Sequence, residues 1–233
     1  NTVTNAEERL LQYHEAPVFD MCMSNVHHLL FTLAGDGGMA MIDASDFSLI
    51  SRSQLIQGKL RSAALNDDES LIAVGAGDGS VFIFSLPDMK PVYHGKVHQE
   101  NFSVNAVAFS PDGKYVITTM QEAALHGWRL FDKTDMRMTG YPAKVKSMAF
   151  TAGGTHLVTS GADRPVCWPF VGAKGPMGQK PLQLGSGLDN LTTQVAAHSQ
   201  HPVVASGYRN GAILLDLVDR DGTISVRNDD AGG

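Results

Sequence analysis

The chain has 233 residues, of which 43% are hydrophobic and 18% are charged. This composition indicates a folded globular protein and excludes a disordered chain or a long solvated coiled coil. The formal net charge of −6 provides no positive field for a phosphate backbone, so no nucleic-acid partner is expected. No apolar run reaches the ~18 residues that span a bilayer, so no direct membrane span is expected either.

Turn-forming residues are frequent along the whole chain. The 24 glycines and 10 prolines interrupt any long helical pattern. Short apolar segments lie between them, which is typical of a protein built from many short strands. Composition therefore predicts an all-β fold.

One motif recurs along the chain: a strand, a polar turn and a second strand. In its clearest copy, residues 108–114 precede the apolar segment 115–118, and residues 149–155 repeat the pattern before segment 156–160. The equivalent positions in all five copies are Met23, Leu65, Phe109, Phe150 and Ala197. Their spacings of 42, 44, 41 and 47 residues match the period of a propeller blade.

A second signal follows each predicted second strand, where small and polar residues mark a tight turn. Glycine, aspartate and asparagine tolerate the positive φ that such turns require. The turns are Gly35-Asp36-Gly37, Gly77-Asp78-Gly79, Gly161-Ala162-Asp163 and Arg209-Asn210-Gly211. An apolar third strand and a more polar fourth strand come next, as in a radial four-stranded blade whose fourth strand lies at the outer rim.

The stretch from His98 to Trp128, centred on residues 104–114, resembles a repeat of the WD-repeat β-propeller family. The resemblance is weaker in the first and fifth copies, no copy ends in the Trp-Asp dipeptide, and the opening Gly-His pair survives only as a displaced His98. Such degeneracy is common in bacterial members, so a bacterial source is weakly favoured. The resemblance implies one β-propeller domain over residues 1–233, with about five four-stranded blades.

The repeat predicts where each blade begins and ends. The blades are expected at residues 16–58, 59–99, 102–140, 143–187 and 190–228. Residues 8–14 have two interpretations. They form a ring-closing strand of a six- or seven-bladed ring of which this chain is a fragment, or residues 6–12 form a short helix and five blades close the ring.

No residue pattern points to a catalytic, metal or cofactor site, so no cofactor is predicted. His198 and His201 form a His-x-x-His pair without a nearby cysteine or glutamate, and they are better interpreted as exposed turn residues. The glycine-rich segment 75–79 is followed by a strand and not by the helix that a phosphate loop needs. Cys22 and Cys167 lie 145 residues apart and are expected to be free thiols.

The loop of residues 172–180, rich in glycine and proline, interrupts the fourth copy between its third and fourth strands. A loop of this length is either functional or merely tolerated, because added loop length costs little free energy. The sequence leaves both interpretations open.

Propeller geometry gathers the turns after the second strands and the loops between blades on one rim. The resemblance implies that this rim docks another protein, and arginine and tyrosine are common at interface hot spots. The predicted partner-binding residues are Arg61, Gln121, Glu122, Lys144, Lys146, Arg164, Tyr208 and Arg209. A structural role is expected for the turn aspartates and the third-strand tryptophans, which are Asp36, Asp78, Asp163, Trp128 and Trp168.

The predicted function is a non-catalytic cytoplasmic scaffold that binds one or more proteins as a subunit of a complex. One alternative is a propeller enzyme of the lactonase or quinoprotein type, whose ligands lie at inner-strand ends. The small and apolar residues of the first strands favour a plain channel instead. The other alternative is a periplasmic component of an envelope assembly.

Overall fold

The protein is described by a computed structural model over residues 10–97, 103–172, 174–185 and 188–218. Sheet 1 contains β1 (Val18–Ser24), β2 (Leu29–Ala34), β3 (Gly38–Asp43) and β4 (Leu49–Gln54). Sheet 2 contains β5 (Leu60–Leu65), β6 (Leu71–Ala76), β7 (Ser80–Ser85) and β8 (Lys90–Lys96). Sheet 3 contains β9 (Val104–Phe109), β10 (Tyr115–Met120), β11 (Leu125–Arg129) and β12 (Asp135–Met138).

The remaining strands form two further sheets. Sheet 4 contains β13 (Met148–Phe150), β14 (His156–Thr159), β15 (Val166–Pro169) and β16 (Leu182–Gln183), with a short 3-10 turn (Ala152–Gly154) after β13. Sheet 5 contains β17 (Thr192–Ala197), β18 (Val203–Tyr208) and β19 (Ile213–Leu217). Each sheet is antiparallel, with its strands in chain order. Among the described residues, no helix has the length and apolar character needed to cross a membrane.

The five predicted repeat positions occupy the same place in their sheets. Each lies near the end of a first strand and pairs with the residue seven positions later in the second strand, as Phe109 does with Val116 and Phe150 with Leu157. The same register joins the other three pairs, Met23 with Leu30, Leu65 with Ile72, and Ala197 with Val204. The sequence period therefore reflects one structural unit repeated five times.

The sheets are arranged around an axis, with their first strands innermost. β1 contacts β5, β5 contacts β9, and β13 contacts β17, so neighbouring sheets meet at their first strands. β4 lies farthest out in sheet 1, and all but one of its residues are exposed. This arrangement confirms the predicted all-β fold, a WD-repeat type β-propeller with about five blades.

Apolar side chains fill the spaces between adjacent sheets. Phe31 and Leu33 of sheet 1 are fully buried in one cluster with Leu60 and Ile72 of sheet 2. Sheets 3 and 4 share a second cluster that includes Trp168. Because each sheet buries apolar side chains against its neighbours, no single sheet can form the core alone.

Hydrogen bonds also tie first strands to one another. The side chain of Asp20 accepts a bond from the Ala63 backbone N–H at 2.8 Å. Ser62 and Ser147 occupy the same register position in sheets 2 and 4, and each accepts in the same way from the first strand of the next sheet. Ala106 occupies this position in sheet 3 and has no polar side chain.

The segment before β1 lies beside sheet 1 without strand pairing. Residues 10–14 form no strand, and the Tyr13 hydroxyl donates a hydrogen bond to the Phe47 carbonyl. Residues 1–9 lie outside the described residues. Both interpretations of this segment, the ring-closing strand over residues 8–14 and the helix over residues 6–12, extend into these residues and stay predictions.

Asp216 is a buried carboxylate on β19. It is 1% exposed, and neither carboxylate oxygen has a hydrogen-bond partner among the described residues. Burial raises the pKa of Asp216 above its usual value of 3.8. The charged form is therefore destabilised in the folded protein.

We expect Asp216→Asn to raise the free energy of unfolding at pH 7 by about 1 kcal/mol, because the variant buries no charge. The unfolded chain loses the Asp216 proton at lower pH than the folded protein. The contribution of Asp216 to stability therefore becomes less favourable as pH rises above 3.8, and the gain of the variant disappears below that pH. Urea titrations followed by circular dichroism at pH 3.5 and pH 7 measure both effects.

The control for this prediction is Asp112→Asn in an exposed turn of sheet 3. Asp112 accepts hydrogen bonds from Ser110 and from the Lys114 backbone, so its substitution should reduce stability. A loss of stability in the Asp216 variant at pH 7 would contradict the assignment of an unpaired buried carboxylate.

Candidate docking surface

One end of the propeller carries the turns after the second strands and the segments before the first strands; we call this end the upper face. Backbone hydrogen bonds join each turn to the segment beside it. Gly35 donates to Pro17 at 3.0 Å, Gly77 donates to Lys59 at 2.7 Å, and Arg209 donates to Leu191 at 2.9 Å. The upper face is therefore built on a repeated, hydrogen-bonded frame.

A bulge near the start of the first strand recurs in four sheets. The pairing register shifts across the bulged residue, which leaves that residue without a partner opposite it. The bulged residues are Phe19, Arg61, Asn105 and Thr193. The repeated bulge places one residue of each of these sheets at the inner rim of the upper face.

Seven of the eight predicted docking residues lie on the upper face with accessible side chains. Lys144, Lys146 and Arg209 are exposed. The half-buried members are Arg61, Gln121, Glu122 and Arg164. All of the predicted docking residues except Tyr208 therefore lie on one accessible surface.

The prediction that Tyr208 contacts a partner is wrong, because its side chain is only 4% exposed. Buried and half-buried residues alternate along β18, and Tyr208 lies on its buried side. Burial also raises the pKa of the Tyr208 phenol. The residue contributes to the core of sheet 5 and not to the rim.

Gln121 links two other residues of the upper face. Its amide nitrogen donates to the Asn105 side-chain oxygen at 2.8 Å, and its amide oxygen accepts from the Lys144 ammonium at 3.0 Å. The neighbouring Glu122 carboxylate accepts a hydrogen bond from Arg137 at 2.6 Å. The structure therefore brings Gln121 and Lys144 together and neutralises Glu122 within its own sheet.

Phe19 forms a second cluster on the inner rim. The Arg61 guanidinium carbon lies 5.3 Å from the centre of the Phe19 ring, and the Lys59 ammonium lies 5.6 Å from it. The ring itself is 42% exposed. Sequence reasoning missed Phe19, Lys59 and Asn105; the repeat alignment places Phe19 and Asn105 at the position of Arg61 and could have found them.

The turn aspartates have the predicted structural role in two sheets. Asp36 accepts from the backbone N–H groups of Gly38 and Glu15, and Asp78 accepts from the backbone of Ser80. Desolvation raises the pKa of Asp36, but these bonds and the Arg52 guanidinium outweigh it and hold that pKa below its usual value. Asp163 is exposed, and no such bond is described for it.

Sheet 1 contains a polar network that sequence reasoning missed. The His14 ring bonds to the Thr32 hydroxyl at 2.7 Å, and its other nitrogen lies 3.8 Å from Asp36. Burial lowers the pKa of His14, although Asp36 opposes this shift. His98, the histidine singled out from the sequence, lies outside the described residues.

Sheet 4 contains a corresponding network with a tyrosine in place of the histidine. The Trp168 indole N–H donates to the Tyr141 hydroxyl at 2.6 Å, and that hydroxyl lies 2.7 Å from the Thr159 hydroxyl. Thr159 and Thr32 occupy the same register position in their second strands. Trp128 in sheet 3 is also buried and stacks on His126, so both tryptophans are core residues as predicted.

The other sequence candidates fit structural roles. His198 accepts backbone hydrogen bonds from Gln200 and His201 in an exposed turn. Within the described ranges, no group of three histidines, cysteines or carboxylates could hold a metal ion. Both cysteines are free thiols, and burial raises the pKa of Cys22 and of Cys167 to about 12.

The described part of loop 172–180 is folded against sheet 3. Gly175 and Pro176 are buried, and Gly175 lies against the Tyr115 ring. The Gln179 side chain donates to the carbonyls of Val171 and Gly175. The loop lies at the end opposite the upper face.

Comparison with known proteins gives one family match and several relatives. The family described as "WD domain, G-beta repeat" matches residues 89–125. Actin-interacting protein 1 of Caenorhabditis elegans is 26% identical over 204 residues, which cover 76% of this chain and 32% of that protein. The 66 kDa stress protein of Physarum polycephalum is 29% identical over 104 residues, which cover 42% of this chain and 17% of that protein.

A third relative, the protein LST8 homolog of Drosophila melanogaster, is 26% identical over 120 residues, covering 48% of this chain and 37% of that protein. The chain thus spans about a third or less of the length of the first two relatives. All three relatives are eukaryotic and give no support to the expected bacterial source. The repeated antiparallel sheets, the matched repeat and these relatives all support the predicted resemblance to the WD-repeat β-propeller family.

Proposed function

We propose that this chain is a non-catalytic scaffold that binds partner proteins through its upper face. The observation that carries the proposal is a set of cations for which the described residues provide no carboxylate partner. These are Lys59, Arg61, Lys144, Lys146, Arg164 and Arg209. The cytoplasmic location stays a prediction from the sequence.

Several acidic residues of the same face are, in contrast, engaged within the protein. Three ion pairs hold them: Asp36 with Arg52, Asp78 with Lys96, and Glu122 with Arg137. The cations therefore remain available although the chain as a whole carries a net charge of −6. Complementary charge speeds association and selects the partner, so this surface suits a protein with an acidic docking region.

Actin is the first partner to test, because the relative that aligns over 76% of this chain is named for an interaction with actin. Cosedimentation of the chain with filamentous actin measures this directly. We expect the chain to pellet with the filaments and to be released as salt is raised.

We expect the double variant Arg164→Glu/Arg209→Glu to lower recovery of the partner about tenfold, because two rim charges are reversed. Affinity capture with the folded chain as bait, followed by mass spectrometry, identifies the partner whether or not it is actin. Circular dichroism of the variant should match that of the parent chain, since neither side chain is buried.

The matched control is Lys174→Glu/Lys180→Glu, which makes the same charge change in the loop at the opposite end. Both lysines are exposed. Unchanged recovery with the control and loss with the upper-face variant support the proposal. Loss with the control alone would place docking at the other end and contradict it.

A further inference from the structure

The rim cluster of Phe19, Lys59 and Arg61 has the features of a small binding site. Two cationic side chains, Lys59 just before β5 and Arg61 within β5, converge on one aromatic ring from sheet 1, at 5.6 and 5.3 Å from its centre. Contact with the ring face orients the Arg61 guanidinium. The cluster therefore has a fixed position on the inner rim.

The cluster has positive charge that the protein does not neutralise. Asp20, the residue after Phe19, has its carboxylate occupied by the backbone N–H groups of Ala63 and Met21. No ion pair of Lys59 or Arg61 is described, and the buried Nε of Arg61 has no hydrogen-bond partner among the described residues. Two adjacent cations without a carboxylate partner among the described residues favour an anionic ligand.

We propose that Phe19, Lys59 and Arg61 form a clamp for a carboxylate side chain on an acidic segment of a partner protein. A carboxylate fits the guanidinium of Arg61, because its two oxygens match the paired N–H groups. The exposed part of the Phe19 ring accommodates an apolar side chain beside that carboxylate. The clamp thus fits a segment in which acidic and apolar residues alternate.

This inference rests on the proposed function and adds the chemistry of the partner segment. Its test uses a fluorescein-labelled hexapeptide of glutamate and leucine, titrated with the folded chain and followed by fluorescence anisotropy. We expect binding that weakens as salt is raised from about 50 to about 300 mM. A peptide with glutamine in place of glutamate should bind at least about tenfold more weakly.

We expect Arg61→Met to weaken binding of the acidic peptide about tenfold, since the variant keeps an apolar side chain over Phe19 but loses the donors. Arg61→Lys should weaken it less, because the charge remains without the paired donors. The control Lys114→Met removes a lysine that pairs with Asp112 at the opposite end and should leave peptide affinity unchanged. Circular dichroism checks the fold of each variant.

The outcomes separate the clamp from the proposed function. Equal binding of the glutamine peptide, or full affinity in a folded Arg61→Met variant, overturns the clamp even if capture still depends on Arg164 and Arg209. Conversely, peptide binding that requires Arg61, together with partner recovery that is unchanged in the Arg164→Glu/Arg209→Glu variant, supports the clamp and overturns the docking role proposed for Arg164 and Arg209.

Discussion

Replacing Tyr141 with phenylalanine should destabilise the protein by about 3 kcal/mol, although the change removes a single oxygen atom. The Tyr141 hydroxyl accepts from the Trp168 indole and lies 2.7 Å from the Thr159 hydroxyl, and all three side chains are buried. Its loss breaks both bonds and leaves the Trp168 N–H without an acceptor in the core. An unpaired buried donor costs about 1–3 kcal/mol in addition to the bonds lost.

The measurement is urea unfolding followed by circular dichroism. A double-mutant cycle with Trp168→Phe isolates the pair, because the tyrosine substitution should cost much less once the indole N–H is absent. Tyr93→Phe is the matched control. Tyr93 of sheet 2 packs against Trp128 of sheet 3, and no hydrogen bond of its hydroxyl is described. Equal costs for the two tyrosine substitutions would contradict the network.

The second large effect is expected for Gly37→Ala, which should also destabilise by about 3 kcal/mol. Gly37 has a φ of 82°, in the left-handed region that favours glycine. An added Cβ would collide with the Ile56 carbonyl oxygen and lie 2.7 Å from that of Gly58. The backbone strain costs about 1 kcal/mol, and the clash with main-chain atoms about 1–3 kcal/mol more.

Gly211 provides the control for this substitution, because it occupies the equivalent turn of sheet 5. Its φ is 89°, but an added Cβ would have nothing within 4 Å. Gly211→Ala should therefore show only the cost of backbone strain, about 1 kcal/mol. Thermal unfolding of both variants separates the steric contribution from the conformational one, and similar melting temperatures would contradict the predicted clash.

The sequence was sufficient to predict the repeated sheet because the signal is local and occurs five times. Phe109 and Phe150 end their first strands in the same register, and a turn sits after each second strand. The alternation of apolar and polar residues in a strand and the residue preferences of a turn both depend on a few neighbouring residues. A single sequence is therefore enough to recognise them.

The candidate site was only partly predictable, because side-chain exposure depends on packing between sheets. Arg209 and Tyr208 are adjacent in sequence, yet one is exposed and the other buried, because Tyr208 ends β18 on its buried side and Arg209 lies in the turn that follows. Phe19 was missed because an aromatic residue in a strand suggests core, and only the bulge turns it to the rim.

The polar networks were missed for a different reason. The family pattern directs attention to histidine before the first strand, but sheet 4 uses Tyr141 in that role. His14 lies ahead of the weakest repeat, where no motif marks it. Both sheets keep a hydrogen bond to the second-strand threonine, but the residue that makes this bond differs between them. A motif defined by residue type therefore does not find these networks.

The hydrogen bonds between first strands divide the propeller unevenly. Asp20 and Ser62 link sheets 1, 2 and 3, and Ser147 links sheets 4 and 5. Between these groups Ala106 presents a methyl group, so the junction depends on apolar packing, on the loop that rests on Tyr115 and on the hydrogen bond from Lys144 to Gln121 at the upper face. The chain is thereby organised as a cooperative unit of three sheets joined to a unit of two, and partial opening should separate them at this seam first.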